Sequence, residues 1–186
     1  MKLKLFAAVL CSVVVGVVGL QVGGAQATPA PAAKPKLVSP PATAMVKLNG
    51  ADITITYCQP GIHGRTIFGG LVPYGQVWRT GANAATTLAT TGALQIGTLK
   101  VPAGKYTIYS LPAESGWTLI INKQTGQWGT VYDKAQDLGR VPMETGANAT
   151  PVENFTISFD KTMGDMTEMH LKWAGVDASV QVSAGK

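Results

Sequence analysis

From near Ala44 onward, apolar and polar side chains alternate in short runs. Ile53, Ile55 and Tyr57 are interleaved with Thr54 and Thr56, and Phe155, Ile157 and Phe159 with Thr156 and Ser158. Trp117, Leu119 and Ile121 follow the same rhythm, as do Met169, Leu171 and Trp173 around His170 and Lys172, and Val176, Ala178, Val180 and Val182 around Asp177, Ser179 and Gln181. A period of two puts one set of side chains on each face of a strand, so each run predicts an antiparallel strand packed on one side. The β-branched and aromatic residues that fill the runs suit a pleated, half-buried surface. Turn chemistry separates them. Val101-Pro102-Ala103-Gly104 fits a β-turn between a strand through Leu99 and one through Tyr106 and Ile108, and Pro112–Gly116 and Lys161–Asp165 predict two further turns. The only helical pattern after the N-terminal region, Asp133–Leu138, is long enough for one turn. About eight to ten short strands predict an all-β fold, a single antiparallel β-sandwich or jelly-roll-like domain, with a β-barrel as the alternative.

The N-terminus breaks this rhythm. Lys2 and Lys4 precede an almost unbroken apolar run from Leu5 to Leu20, and Ala25-Gln26-Ala27 matches a small-x-small cleavage site. Residues 1–27 therefore read as a secretory signal peptide, which places the mature protein in the periplasm or outside the cell without stable membrane insertion. Residues 28–43, rich in Pro and Ala, read as an extended linker, and residues 44–186 as the domain. Losing Lys2 and Lys4 lowers the formal charge from +5 to +3, and the mature chain has no basic run with interleaved aromatics. Nucleic acid is thus not an expected partner. Cys11 leaves with the leader, so Cys58 is the one mature thiol and no internal disulfide forms. Hydrophobic residues make up 46% and charged ones 13%, enough for the core to supply the stability.

Gly61–Thr87 (GIHGRTIFGGLVPYGQVWRTGANAATT) interrupts the alternation and gathers Arg65, Tyr74, Trp78, Arg79 and Asn83 among glycines. Sandwiches commonly place function on such loops. Arginine offers a planar fork to carboxylate or phosphate, Trp a stacking face, and Asn a donor and an acceptor. On this reading Arg65, Tyr74, Trp78, Arg79 and Asn83 are candidate ligand-binding residues. The competing reading makes Arg79 a buried structural arginine, Trp78 core filler and Asn83 a turn residue. Trp128, flanked by Gln127 and Gly129, is a sixth candidate: either a sugar platform or a core Trp entering a strand.

The run GRTIFGGLVPYGQVWRTGANAATT, followed by VPAGKYTIYSLP and WTLIINKQTGQWG, resembles the domain of unknown function 2911 family of exported bacterial proteins. The resemblance extends over roughly Ile53 to Val182. It implies a secreted or periplasmic protein and no established activity. It also marks two departures: family members commonly carry Arg where this chain has Gln59, and an acidic residue where it has Ala84. A shared site built on those two groups would be altered here.

Other chemistry is thinly represented. Two histidines and one mature Cys, with no close pairing, give no metal-ligand set, and neither a metal centre nor a cofactor is expected. No G-x-S-x-G elbow is present. His170 is expected to face solvent beside Lys172, and Asp160, Asp165 and Glu168 to form a solvated loop. Three functions follow: a non-catalytic binding module for a small polar ligand or envelope glycan, which is the preferred reading; a hydrolase using His63 as base; and a structural or interaction protein of the envelope.

Overall fold

A computed structural model describes residues 38–185; the predicted signal peptide and most of the predicted linker lie outside them. Nine antiparallel strands form one hydrogen-bonded ladder: β1 (Pro41–Leu48), β2 (Ala51–Cys58), β3 (Thr86–Thr90), β4 (Leu94–Ile96), β5 (Leu99–Val101), β6 (Gly104–Ala113), β7 (Gly116–Asn122), β8 (Asp137–Met163) and β9 (Met166–Ala184). Their order is β1-β2-β3-β6-β7-β8-β9-β4-β5. The predicted single turn is a 3-10 turn over Lys134–Gln136, with the Asp133 side chain accepting from the Ala135 N–H.

The ladder becomes a sandwich because β8 is shared. Its first residues pair with β7, while Glu144 and those after it pair with β9. The first leaf comprises β1, β2, β3, β6, β7 and the start of β8; the second holds the rest of β8 with β9, β4 and β5. Between them the Tyr57 hydroxyl of β2 accepts the Ile157 N–H of β8 at 3.0 Å. The fold class expected from alternation is the one observed. Ile53, Ile55, Leu119, Ile121, Phe155, Ile157, Leu171 and Trp173 all point into the space between the leaves and are nearly inaccessible. Each such side chain contributes about 1.5–3 kcal/mol of burial.

β9 folds back on itself at Ala174, whose φ is +50°. Its two halves lie side by side: the Ala184 N–H donates to the Asp165 carbonyl and the Ser179 hydroxyl to Glu168. The buried parity switches there, from odd positions up to Trp173 to even ones from Ala178, as the two separate sequence runs implied.

One expectation needs correction. The linker predicted to run through Thr43 ends earlier, because β1 starts at Pro41 and pairs with β2 along its whole length. Proline lacks a ladder donor and is tolerated as the first residue of an edge strand, which is where Pro41 sits. The Val101–Gly104 turn does join the strands through Leu99 and Tyr106, but these are not partners. β5 pairs with β4 in the second leaf and β6 with β3 and β7 in the first, so the turn carries the chain between leaves. The other two turns close hairpins, with Ala113 opposite Gly116 and Met163 opposite Met166.

Candidate ligand-binding site

Beyond β3, the edge of β6 is taken up by the segment that holds most of the candidate residues. The Trp78 N–H donates to the Ser110 carbonyl at 2.7 Å, and the Trp78 carbonyl accepts the Ser110 N–H at 2.9 Å. Thr80, fully buried, donates to the Ser110 hydroxyl, and Thr86 donates to the Thr80 carbonyl. Trp78 is held by strand-like pairing, so its ring and the next side chain take opposite faces. The Trp78 ring turns inward, stacked 5.5 Å from Trp173 and edge-on to Phe68, Trp117 and Phe155. It is core filler, the second of its two sequence readings, and offers no stacking face to a ligand.

Arg79 is directed to the outer face of the first leaf, which is not bare. Tyr109 and Ile120, on the outward parity of β6 and β7, are buried beneath the loop Lys123–Gln136. Asn122, fully buried at the end of β7, anchors that loop. Its amide donates to the Asp133 carbonyl at 2.8 Å and to Asp137 at 2.9 Å, and its oxygen accepts the Gln124 N–H. Tyr109 donates to the Val131 carbonyl at 2.6 Å, and Gln127 donates to the Tyr109 hydroxyl. Tyr132 sits edge-on to Tyr109, donates to Asp137 and accepts from Arg140. Burial raises both phenol pKa values above their ordinary range, with further help in each from the Asp137 carboxylate, so both hydroxyls stay protonated.

Two loops are zipped together over this face. Ala84 pairs with Trp128, and the Gly129 N–H donates to the Asn83 carbonyl at 3.1 Å. Gly129 permits the approach: a Cβ there would lie 2.7 Å from the Asn83 carbonyl oxygen and against the Arg79 stem. Between the loops lies a recess of about 220 Å³ whose lining includes Pro73, Gln76, Arg79, Tyr109, Thr130 and Tyr132. The Arg79 Nε is buried and has no hydrogen-bond partner among the described residues. No carboxylate lies within ion-pair distance of its guanidinium there. The Gln124 and Gln127 side-chain oxygens of the covering loop are likewise buried and unpartnered.

The structure thus brings Arg79, Asn83 and Trp128 together beside the recess, whose lining also includes the inward-turned Trp78, and separates Arg65 and Tyr74 from it. Asn83, at φ +59°, is an exposed turn residue whose carbonyl closes the loop. Trp128 stands 58% exposed beside the recess without lining it. Arg65 is consumed locally, its guanidinium donating to the Ile62 carbonyl at 3.0 Å and the Gly61 carbonyl at 2.6 Å. Tyr74 covers Gly69 and borders a separate depression beside Glu114 and Thr145. His63, at φ +48° in an exposed turn, packs its ring on Gly61. Of the two departures, Gln59 donates to the Phe155 carbonyl between the leaves, whereas Ala84 is in the loop pair beside the recess. Sequence reasoning missed Gln76, Tyr109, Thr130 and Tyr132. One signal was available: Tyr109 and Ile120 are large residues on the outward parity of their strands, which marks an outer face under cover.

A family model described as "Protein of unknown function (DUF2911)" matches residues 39–182, nearly all of the described chain. The chain belongs to the DUF2911 family. No curated protein and no solved structure matches it. Every residue lining the recess falls within the matched range.

The second leaf's outer face corrects two further expectations. His170 points outward, but its side chain is only 12% exposed, bonded to Asp177 at 2.8 Å with Nε2 3.6 Å from both Asp160 and Glu168. Asp160 and Glu168 are not a loose loop; they face each other across the β8–β9 ladder. Lys172 bonded to Asp160, and Lys161 bonded to Glu168, hold these carboxyls below their ordinary pKa.

Proposed function

We propose that this DUF2911 protein is an exported, non-catalytic binding module that takes a small polar ligand into the recess beside Arg79. One observation carries the reading: a guanidinium with a buried, unpartnered Nε, facing a recess, in a fold that pairs its other two arginines at home. An unpaired buried donor costs about 1–3 kcal/mol, or more when charged, and an external acceptor removes that cost. The exported location rests on Lys2, Lys4, the Leu5–Leu20 run and Ala25-Gln26-Ala27. The test is a thermal-shift panel of sugars, envelope glycan fragments and organic acids on the parent and on Arg79→Met. At least one compound is expected to raise the parent's midpoint and to leave the variant's unmoved. Equal shifts in both proteins for every active compound count against the recess.

A further inference from the structure

We infer that the ligand class of this recess is a small organic monocarboxylate, and not a phosphate, a sulfate or a neutral sugar; the inference rests on the binding reading above and narrows it. The charge is the first ground. Arg79 is the one charged residue in the lining, which contains no Asp, Glu or Lys. A guanidinium and a carboxylate match one for one and bond through two parallel N–H···O contacts. A phosphate dianion would keep a surplus charge inside the recess.

The second ground is where the polar groups are. The tyrosine hydroxyls that approach the recess are already engaged, Tyr109 with Val131 and Gln127, and Tyr132 with Asp137 and Arg140. Apart from Arg79, the polar side chains of the lining that are not already engaged are few, Gln76 and Thr130 among them, and Leu71, Pro73 and Val77 add apolar surface. A carboxylate collects its acceptors at one end and leaves an apolar body for that surface. Tetrahedral oxyanions and sugars spread acceptors in every direction, so several would be buried against carbon without a donor, which weakens binding. The recess has room for roughly seven water molecules, which fits a compact acid and not an oligosaccharide.

The chain contains three arginines, so the Nε–H signals in a proton–nitrogen NMR spectrum report each one separately. Benzoate, benzamide and sulfate are titrated into the purified protein. Benzoate is expected to move the Arg79 signal saturably and to leave Arg65 and Arg140 in place, because those two are bonded at home. Benzamide, the neutral isostere, and sulfate are expected to act at least tenfold more weakly, and Arg79→Met is expected to abolish the benzoate-induced rise in thermal midpoint. If that variant does not fold, Thr130→Trp, at an exposed position on the lip, is expected to block the benzoate response instead. Benzamide or sulfate acting as strongly as benzoate would overturn the carboxylate class while sparing the recess. Silence of Arg79 towards all three, or equal movement of all three arginines, would remove the recess as a binding site and the carboxylate class with it.

Discussion

The outer faces of the two leaves handle charge in opposite ways. On the second leaf Asp160, Glu168 and Asp177 are interleaved with Lys161, Lys172 and His170, and nearly every polar atom has a partner. Even His170 Nε2, which makes no hydrogen bond, sits 3.6 Å from two carboxylates. On the first leaf the face is roofed by a loop, its tyrosines are saturated, and the Arg79 Nε is buried without a hydrogen-bond partner among the described residues. A self-satisfied surface is what cross-strand pairing between neighbouring strands produces. A lone cation at the floor of a recess is not explained by the fold around it, and this contrast separates a structural charge cluster from a candidate site.

The contrast can be broken in graded steps. The largest effect belongs to the residue beside Arg79. Trp78→Ala empties the centre of the aromatic core and is expected to cost about 3–5 kcal/mol in urea denaturation; a loss below about 1 kcal/mol would show that Trp78 is not core. Next comes the anchor of the covering loop. Asn122→Ala strands the groups it bonds and is expected to cost about 1–3 kcal/mol, and to abolish any ligand-induced shift because the loop lifts from Tyr109. Retention of full ligand response in that variant would detach the loop from the site.

On the second leaf the effects are smaller. Lys172→Met is expected to change stability at neutral pH by a few tenths of a kcal/mol, as for other partly exposed pairs. Its signature is in the pH dependence. Asp160 and Glu168 have lowered pKa values in the folded state. Their contribution is therefore complete above the unfolded carboxylate value, near ~4, and is lost as pH falls through the folded values. The parent's urea midpoint should drop across this acid window, and Lys172→Met should drop less; parallel curves for the two proteins would contradict the pairing.

Much of this fold was legible from period-two alternation. β2, β7 and both halves of β9 follow it, and even the parity change at Ala174–Gly175 shows as a break between two runs. β1 was missed although Asn49-Gly50 between Val46-Lys47-Leu48 and Ala51-Asp52-Ile53 is a strong hairpin signal; the prolines before it suggested linker. The site was only half legible. Gly61–Thr87 announced itself by composition, but which of its side chains face a ligand depends on two isolated pairings, Trp78 with Ser110 and Ala84 with Trp128. Contacts between residues 32 and 44 positions apart leave no local pattern, so Trp78 and Arg79, adjacent in the chain, were given one role when the strand geometry gives them opposite ones.

Within the fold the Arg79 Nε is unpaired among the described residues. This is tested most directly by the thermal midpoint of Arg79→Met against the parent, without ligand. Methionine keeps the apolar stem on Gly129 and removes the buried unpartnered Nε, so the midpoint is predicted to stay unchanged or to rise. A fall equivalent to about 3 kcal/mol or more would mean that Arg79 is tied into the structure as a paired buried charge, and the account of the recess would fail at its centre.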